Sequence, residues 1–441
     1  MSDYRKRAEE LLKDWKGDTY TYGIDVLDAV GKYASKFGKK ALVFAGDPGA
    51  DIAWMEPLIT KVKESLEAAG VEMIAHEPGA RPNAPREDVY RMSLAVAKLK
   101  PDCLVPIGGG STIDAAKAAS VLYSLESNDI EPYFGVDQVK AAVEEKGAKL
   151  LPVVAVETAA SSGAHLTKYS NITDPATGIK KLIVDDTIIP PASVFDYSVT
   201  MGAPVSLVLD GGLDGIAHCW EVFIGATGKV YYDKMKEINE VATALIVEAL
   251  PVVLKDPENE DARMALGLGT DLGGYAIMIE GKNSETGQVE KGGTNGGHLG
   301  SFQLIHYLAH GRACAVLNPY YTVLFADAIE DQNRSVAPIF QDAGFIPKDA
   351  DLASLDGREL AETLAKGMIE FSKSIGFPVT LKEAGVPEDQ INVMVEASKN
   401  PQLKMKLQNM PTPLDVEKGE IDSKMAPTLK AAFSGDLSLI P

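Results

Sequence analysis

The chain has 441 residues, of which 45% are hydrophobic and 24% charged, with a formal net charge of -20. These values exclude a disordered acidic tail and a single small domain, because a chain of this length normally folds as two domains with sizeable cores. The negative charge argues against a nucleic-acid-binding surface, and no window approaches the roughly 20 apolar residues that a membrane-spanning helix requires.

Three widely spaced cysteines, Cys103, Cys219 and Cys314, fit neither a disulfide framework nor a zinc ribbon. The first residues form a polar amphipathic run without the apolar core of a signal peptide. We therefore expect a soluble, cytoplasmic protein without membrane or nucleic-acid partners.

Strands and helices alternate in the first part of the chain. Helices are expected at 4–16, 25–37, 52–69 and 86–99, and strands at 40–45, 71–75, 102–107 and 151–156. Residues 181–184 and 193–195 are candidates for further strands nearby. This alternation predicts an α/β domain over residues 1–198, with a parallel sheet covered by helices on both faces.

The pattern of alternating strands and helices ends at about residue 200. Long segments rich in alanine and leucine predict helices at 203–225, 231–254, 259–281, 298–309, 313–330 and 358–375. The sequence therefore predicts an all-α C-terminal domain over residues 199–441.

A glycine turn, Gly108-Gly109-Gly110-Ser111, joins the strand at 102–107 to the helix that follows. Such a turn exposes backbone N–H groups at a helix N-terminus, and missing Cβ atoms let a phosphate approach closely. The turn indicates a phosphate site, with a plain tight turn as the alternative. Asp114 and Lys117 follow on the first turns of the helix, where a solvated i,i+3 pair is the alternative.

Asp47 stands at the end of the strand 40–45. In nucleotide-binding sheets an acid at this place can bind ribose hydroxyls and repel a 2′-phosphate. The alternative is an aspartate that only favours a turn beside Pro48 and Gly49.

Asp214 and His218 lie four residues apart in the predicted helix 203–225, so they share one face. Three further histidines, His298, His306 and His310, fall within thirteen residues. Spacing alone nominates Asp214, His218, His306 and His310 as metal ligands, a donor set that suits Fe(II) or Zn(II). The alternative for the first two is a surface ion pair, against which their apolar neighbours argue.

Three segments together resemble the iron-containing (group III) alcohol dehydrogenase family. Residues 108–117, 214–218 and 310–319 are similar to the family's GGGSxxDxAK, DxxxH and HGxxxAxxxP motifs, and the resemblance covers about residues 18–330. It implies that the first segment holds the cofactor pyrophosphate, that the second supplies two metal ligands and that the third supplies the last.

The resemblance also implies a different third histidine. It selects His298 in place of His306, so the implied ligands are Asp214, His218, His298 and His310. His306 then becomes a candidate proton relay, with a histidine that only packs a helix as the alternative.

On the cofactor side, the resemblance implies that Asp47 favours NAD over NADP and that Lys180 approaches the nicotinamide ribose. The full set of implied cofactor residues is Asp47, Asn83, Gly109, Gly110, Ser111, Asp114, Thr158, Ser161, Ser162 and Lys180.

The implied function is an NAD(P)-dependent alcohol dehydrogenase or aldehyde reductase acting on a small alcohol or aldehyde. Fe(II) is the expected metal, with Zn(II) as the alternative, and a homodimer or higher homo-oligomer is the expected assembly. The alternative functions are a glycerol-type polyol dehydrogenase of the same superfamily and a non-catalytic homologue that binds metal or nucleotide.

Overall fold

The computed structural model describes residues 2–49, 53–176 and 178–441. The chain divides into two compact units, one formed by Lys13–Pro204 and the other by the residues up to Leu12 together with Val205–Pro441. Helix α1 (Ser2–Lys16) therefore spans the division. Among the described residues, no helix combines the length and the apolar character needed to cross a bilayer.

The unit of residues 13–204 is an α/β structure. Its strands are β1 (Tyr20–Gly23), β2 (Lys40–Ala45), β3 (Glu72–Glu77), β4 (Cys103–Gly108), β5 (Gly135–Val136), β6 (Val154–Glu157), β7 (Tyr169–Asp174), β8 (Ile179–Val184) and β9 (Ala192–Asp196). Its helices beyond α1 are α2 (Ala29–Ala34), α3 (Glu56–Ala68), α4 (Arg86–Leu99), α5 (Gly110–Ser124) and α6 (Gln138–Lys146). Six strands form a parallel sheet in the order β1-β9-β6-β4-β2-β3, and β5-β8-β7 form a smaller sheet.

Strand β2 shows why this sheet is covered on both faces. Successive side chains point to opposite faces of a strand. Leu42 and Phe44 join a core that contains residues of α4 and α5, whereas Ala41, Val43 and Ala45 join a core that contains residues of α2 and α3. A strand buried on both faces has no polar side, and this is why the sequence shows a continuous apolar run.

The sheet contains one strand that periodicity did not indicate. Residues Tyr20–Gly23 form β1, which pairs in parallel with β9, and the following helix is limited to Ala29–Ala34. The candidates 181–184 and 193–195 fall in different sheets, as parts of β8 and β9. Residue 52, the expected start of a helix, lies outside the described residues, and α3 begins at Glu56.

The second unit is mainly helical. Its helices are α7 (Val205–Ile224), α8 (Tyr232–Lys255), α9 (Glu260–Met278), α10 (Gly296–Ser301), α11 (His310–Leu324), α12 (Glu330–Asp342), α13 (Gly357–Ser374), α14 (Gln390–Ser398), α15 (Lys404–Gln408) and α16 (Ala426–Ser434). A two-stranded antiparallel hairpin, β10 (Glu280–Lys282) and β11 (Val289–Lys291), interrupts them. The predicted helix at 298–309 is wrong, because α10 ends at Ser301 and turns follow until α11.

Helix α7 packs closely against its neighbours because glycines stand at the crossings. A Cβ added at Gly273 of α9 would lie 3.2 Å from the Cα of Gly215. At the crossing with α11, a Cβ added at Gly311 would lie 1.9 Å from the carbonyl oxygen of Asp210. Beside this crossing, Arg312 Nε and Nη2 donate to the two carboxylate oxygens of Asp210, each at 3.0 Å.

We predict that Gly311→Ala destabilises the helical unit by about 1–3 kcal/mol or more, because the added methyl group forces α11 away from the backbone of α7. Urea unfolding followed by circular dichroism measures the change. Gly202→Ala is the control, since a Cβ there meets nothing within 4 Å, and surface substitutions of this kind usually change stability by less than about 0.5 kcal/mol. Equal unfolding midpoints for the two variants would contradict the close contact between α11 and α7 at Gly311.

Candidate metal centre and nucleotide site

Helix α7 carries the first two predicted ligands on one buried face. Asp214 and His218 are 2% and 5% exposed, and His218 Nε2 lies 3.7 Å from Asp214 Oδ1. A carboxylate at this depth requires compensation by opposite charge or by hydrogen bonds. The surface-pair alternative is therefore excluded for these two residues.

Two more histidines reach the same carboxylate oxygen from other helices. His298 Nε2 of α10 lies 3.7 Å from Asp214 Oδ1, and His310 Nε2 at the start of α11 lies 3.6 Å from it. The rings of His218 and His298 stack with centroids 4.8 Å apart, and His310 meets His298 edge-on at 5.0 Å. The structure thus brings together the side chains of all four residues that the family resemblance implied as ligands.

Hydrogen bonds on the far side of two rings set their tautomers. His298 Nδ1 donates to Glu221 Oε1 at 2.8 Å. Ser301 Oγ donates to the carbonyl oxygen of His298 at 2.8 Å, so it accepts from His310 Nδ1 at 3.1 Å. Because Nδ1 carries the hydrogen in both rings, the Nε2 lone pairs face Asp214.

This arrangement fits a divalent cation. Ligand distances of about 2.0–2.2 Å in a tetrahedral site imply separations of about 3.3–3.6 Å between ligand atoms, close to the 3.6–3.7 Å between Asp214 Oδ1 and each Nε2. His298 Nε2 is buried without a hydrogen-bond partner among the described residues. Burial, followed by the charges of His218 and Lys406, holds the pKa of His298 well below its usual range, so the ring is neutral as a ligand must be.

Cys314 stands beside this set, and the sequence alone did not single it out as a ligand. Its Sγ lies 3.7 Å from His298 Nδ1, and Asp214, His298, His310 and Cys314 offer ligand atoms within 4.8 Å of one another. Burial raises the pKa of its thiol well above the ordinary value. The available signal was its spacing, since Cys314 follows His310 by one helical turn.

Glu221 is the second residue that the sequence reasoning missed. It is 0% exposed and lies three residues after His218 on α7. Burial raises the pKa of Glu221, and the hydrogen bond from the backbone of Asn295 and the charge of Lys406 oppose that rise. The available signal was its spacing, because positions i, i+4 and i+7 from Asp214 share a helical face.

His306 lies outside the cluster. It is exposed in the turns between α10 and α11, so it does not share a helical face with His310. The reason is geometric: residues twelve apart in one helix are separated by about 18 Å. The helix must therefore end between His298 and His310 for both rings to reach Asp214.

The predicted phosphate turn lies at the C-terminal end of β4, and α5 begins at Gly110. Ser111 Oγ accepts from the backbone N–H of Asn83 at 3.0 Å. A Cβ added at Gly110 would lie 2.6 Å from Ser162 Oγ, and one at Gly109 would lie 3.2 Å from the Cβ of Ala159. The glycines thus permit the loop of residues 158–162 to pack over the turn.

The remaining predicted cofactor residues lie on other segments of the α/β unit. Asp47 follows β2, whose Ala45 pairs with Ile107 of β4, so both strands end at the same sheet edge. Burial, followed by the charge of Asp88, raises the pKa of Asp47. Thr158 and half-buried Ser161 belong to the packing loop, and Lys180 lies on β8 opposite Thr173.

Asp114 and Lys117 are buried, which excludes the solvated-pair alternative. Asp114 Oδ2 accepts from the backbone N–H and the side-chain amide of Asn171, at 2.9 and 3.2 Å. Lys117 Nζ donates to the carbonyl oxygens of Ala164, Thr167 and Tyr169 at 2.6–3.0 Å. Burial lowers the pKa of Lys117 to about 8. These contacts attach the segment 164–171 to α5 beside the glycine turn.

A parallel sheet with a glycine turn, followed by a helical unit with a buried Asp/His cluster, is the architecture of a metal-dependent dehydrogenase. The sequence pattern described as "Iron-containing alcohol dehydrogenase" matches residues 18–197, and that described as "Fe-containing alcohol dehydrogenase family, C-terminal" matches residues 208–418. The chain belongs to the iron-containing alcohol dehydrogenase family and is a metal-dependent NAD(P) oxidoreductase of that family. The predicted fold class and family are confirmed.

Individual relatives agree with this assignment. The chain is 26% identical over 387 residues to 1,3-propanediol dehydrogenase of Citrobacter freundii, covering 85% of this chain and 89% of the relative. It is 26% identical over 341 residues to NAD-dependent methanol dehydrogenase of Bacillus methanolicus, covering 77% and 81%. The crystal structure of 1,3-propanediol oxidoreductase superposes with a TM-score of 0.76 at 23% identity, over 94% of this chain and 98% of that one. At this identity the superposition shows the fold.

We predict that His298→Ala removes metal retention and that His306→Ala leaves it unchanged. His298 Nε2 faces the shared oxygen of Asp214, whereas His306 is exposed in a turn. Elemental analysis of both variants, purified without oxygen, measures metal per chain. Retention by the first variant together with loss by the second would exchange the two assignments.

Proposed function

We propose that this protein is an NAD-dependent alcohol dehydrogenase or aldehyde reductase that holds Fe(II) with Asp214, His218, His298 and His310. The observation that carries the proposal is the approach of three imidazole nitrogens to one buried carboxylate oxygen, at 3.6–3.7 Å. One carboxylate and three imidazoles form a donor set that suits Fe(II) and also Zn(II). Members of the family use NAD(P) and a divalent metal.

The cofactors supply the reactive groups: the cation is a Lewis acid toward the substrate oxygen, and the nicotinamide gives or takes the hydride. The residues of the chain prepare that chemistry. His298 and His310 present Nε2 lone pairs because Glu221 and Ser301 hold their Nδ1 hydrogens. Asp214 adds a buried negative charge, which strengthens cation binding where water is excluded.

The environment of His310 supports a small alcohol or aldehyde as substrate. The side chain of His310 is 32% exposed, against 7% and 5% for those of His218 and His298. Phe302 stacks on the His310 ring with centroids 6.3 Å apart and an interplanar angle of 13°. We propose that the substrate approaches beside His310 and that Phe302 contacts its carbon chain.

The glycine turn supports NAD binding in the α/β unit. The N-terminus of α5 presents backbone N–H groups to a pyrophosphate. Gly109, Gly110, Ser111 and the loop of residues 158–162 form its surroundings. The three cysteines are free and buried, which supports a reducing compartment and our proposal of a cytoplasmic enzyme.

We predict that the protein oxidises NADH in the presence of short-chain aldehydes and that His218→Ala and His310→Ala abolish this activity together with metal retention. Loss of a direct ligand weakens metal binding by more than the roughly 10–100-fold expected for a supporting partner. The assay uses protein reconstituted with Fe(II) or Zn(II) without oxygen and a panel of alcohols and aldehydes. His76→Ala is the matched control, because His76 lies on β3 of the other unit. Full metal content in either ligand variant would show that the metal lies elsewhere.

We predict that Asp47→Gly raises the efficiency with NADP relative to NAD by about tenfold, or ~1.4 kcal/mol, because the carboxylate repels a 2′-phosphate. The ratio of kcat/KM for the two nucleotides measures it, and Asp47→Asn separates the effect of charge from that of backbone freedom. Asp186→Asn, at an exposed aspartate of the same unit, is the control. An unchanged ratio in both Asp47 variants would remove the ribose role of this residue.

A further inference from the structure

Glu221 accepts hydrogen bonds from four donors, although it is completely buried. Its Oε1 accepts from His298 Nδ1 at 2.8 Å and from the amide of Asn318 at 3.2 Å. Its Oε2 accepts from the backbone N–H groups of Asn295 and His298 at 2.7 and 3.2 Å. Three of these partners are N–H groups that can only donate, and the fourth, His298, donates when its hydrogen is on Nδ1.

The start of α10 packs directly against this carboxylate. A Cβ added at Gly297 would lie 2.5 Å from Glu221 Oε1, so the glycine allows α10 to approach the carboxylate. Asn295 Oδ1 accepts from the N–H of Gly296 at 2.6 Å, and its amide donates to the carbonyl oxygen of Glu221 at 2.6 Å. The first turn of α10 is therefore attached to Glu221 by its backbone, by its capping residue and by the His298 ring.

We propose that Glu221 is a positioning residue of the metal centre, which keeps the hydrogen of His298 on Nδ1 and its Nε2 lone pair directed at Asp214. The inference rests on the proposed function, because it requires the metal to bind at Nε2. Glu221 acts through His298 and touches neither substrate nor cofactor in this role. A carboxylate behind a ligating histidine fixes the tautomer and raises the basicity of the ring.

Glu221 also selects between two sets of ligands. Cys314 Sγ lies 3.7 Å from His298 Nδ1, on the same side of the ring as Glu221. With Nδ1 held as a donor to Glu221, only Nε2 is available, together with Asp214, His218 and His310. If Nδ1 lost that partner, it could ligate a metal beside the sulfur of Cys314, a softer set that favours Zn(II) over Fe(II).

A buried lysine balances the charge of this carboxylate. Lys406 of α15 is 9% exposed and donates to the hydroxyl of Thr294, the residue before Asn295. Its ammonium lies 5.8 Å from the centroid of the Phe302 ring. The positive charge near Glu221 and Asp214 reduces the cost of two buried carboxylates.

Glu221→Gln is the direct test. The amide offers one acceptor oxygen, and its NH₂ group opposes two of the four donors. The ring of His298 relieves this conflict by moving its hydrogen to Nε2, which removes the lone pair that faces Asp214. Zn²⁺ affinity, measured by competition with a chelating dye, should fall by about 10–100-fold. Glu221→Asp retains the charge and should fall between this variant and the wild type.

The matched control is Glu330→Gln. Glu330 belongs to the same unit and accepts from the backbone N–H of Gly357 at 3.0 Å and from Arg334, away from the cluster. This variant should lower Tm and leave Zn²⁺ affinity at the wild-type value. If Glu221→Gln lowers Tm but binds Zn²⁺ as tightly as the wild type, Glu221 is only structural and the proposal is overturned.

Two further measurements keep the inference separate from the metal site itself. In the metal-free wild type, ¹⁵N spectra of labelled histidine should show His298 protonated at Nδ1, assigned by difference with His298→Gln; protonation at Nε2 would overturn the proposal even if the Glu221 variants do not fold. In Co²⁺-loaded Glu221→Asp, a thiolate-to-metal absorption band supports the selection between ligand sets. If the wild type binds none of these cations, the proposed function is contradicted, independently of the role of Glu221.

Discussion

The candidate metal centre is built around the buried carboxylate of Asp214. Asp214 is 2% exposed in the middle of α7, and a carboxylate at that depth is stable only when cations, imidazoles or hydrogen-bond donors surround it. Three imidazoles from α7, α10 and α11 meet its Oδ1. The close crossing of α7 and α11 at Gly311 and the end of α10 at Ser301 are both conditions for that meeting. Under the proposed function, a cation among these atoms would offset the cost of burying the carboxylate.

Hydrogen bonds on the side of the histidine rings away from Asp214 also define the site. Glu221 holds one ring and Ser301 holds another, each at Nδ1. A later segment of the chain supports the same place: Lys406 donates to the hydroxyl of Thr294, and the amide of Asn409 donates to the carbonyl oxygen of Thr294 at 3.2 Å. Helix α15 and the residue that follows it therefore hold the segment that leads into α10 and His298.

The α/β unit uses backbone geometry where the helical unit uses side chains. Its glycine turn leaves N–H groups at the start of α5, and neighbouring loops close on the turn because glycines have no Cβ. Asp114 and Lys117 illustrate the difference between motif and role. Both belong to the motif that suggested phosphate binding, yet their contacts bind the segment 164–171 to the helix. Short motifs combine residues that contact a ligand with residues that build the frame.

The family was predictable from three short motifs, and the alternation of strands and helices in the first unit and the shared face of Asp214 and His218 were predictable from local spacing along the chain. Helical spacing favoured His306 as the partner of His310, whereas the family resemblance implied His298, and it is the Nε2 of His298 that the packing of α10 brings to Asp214. A helix break at 302–309 exposes His306 and turns His298 toward Asp214. Strand β1 shows the same limit, since four residues at a sheet edge are defined by pairing with β9 and not by their own periodicity. Glu221, Cys314 and Lys406 lie 77, 16 and 108 residues from His298 in the sequence, so their contribution to its surroundings follows from the packing of four helices, which no local pattern encodes.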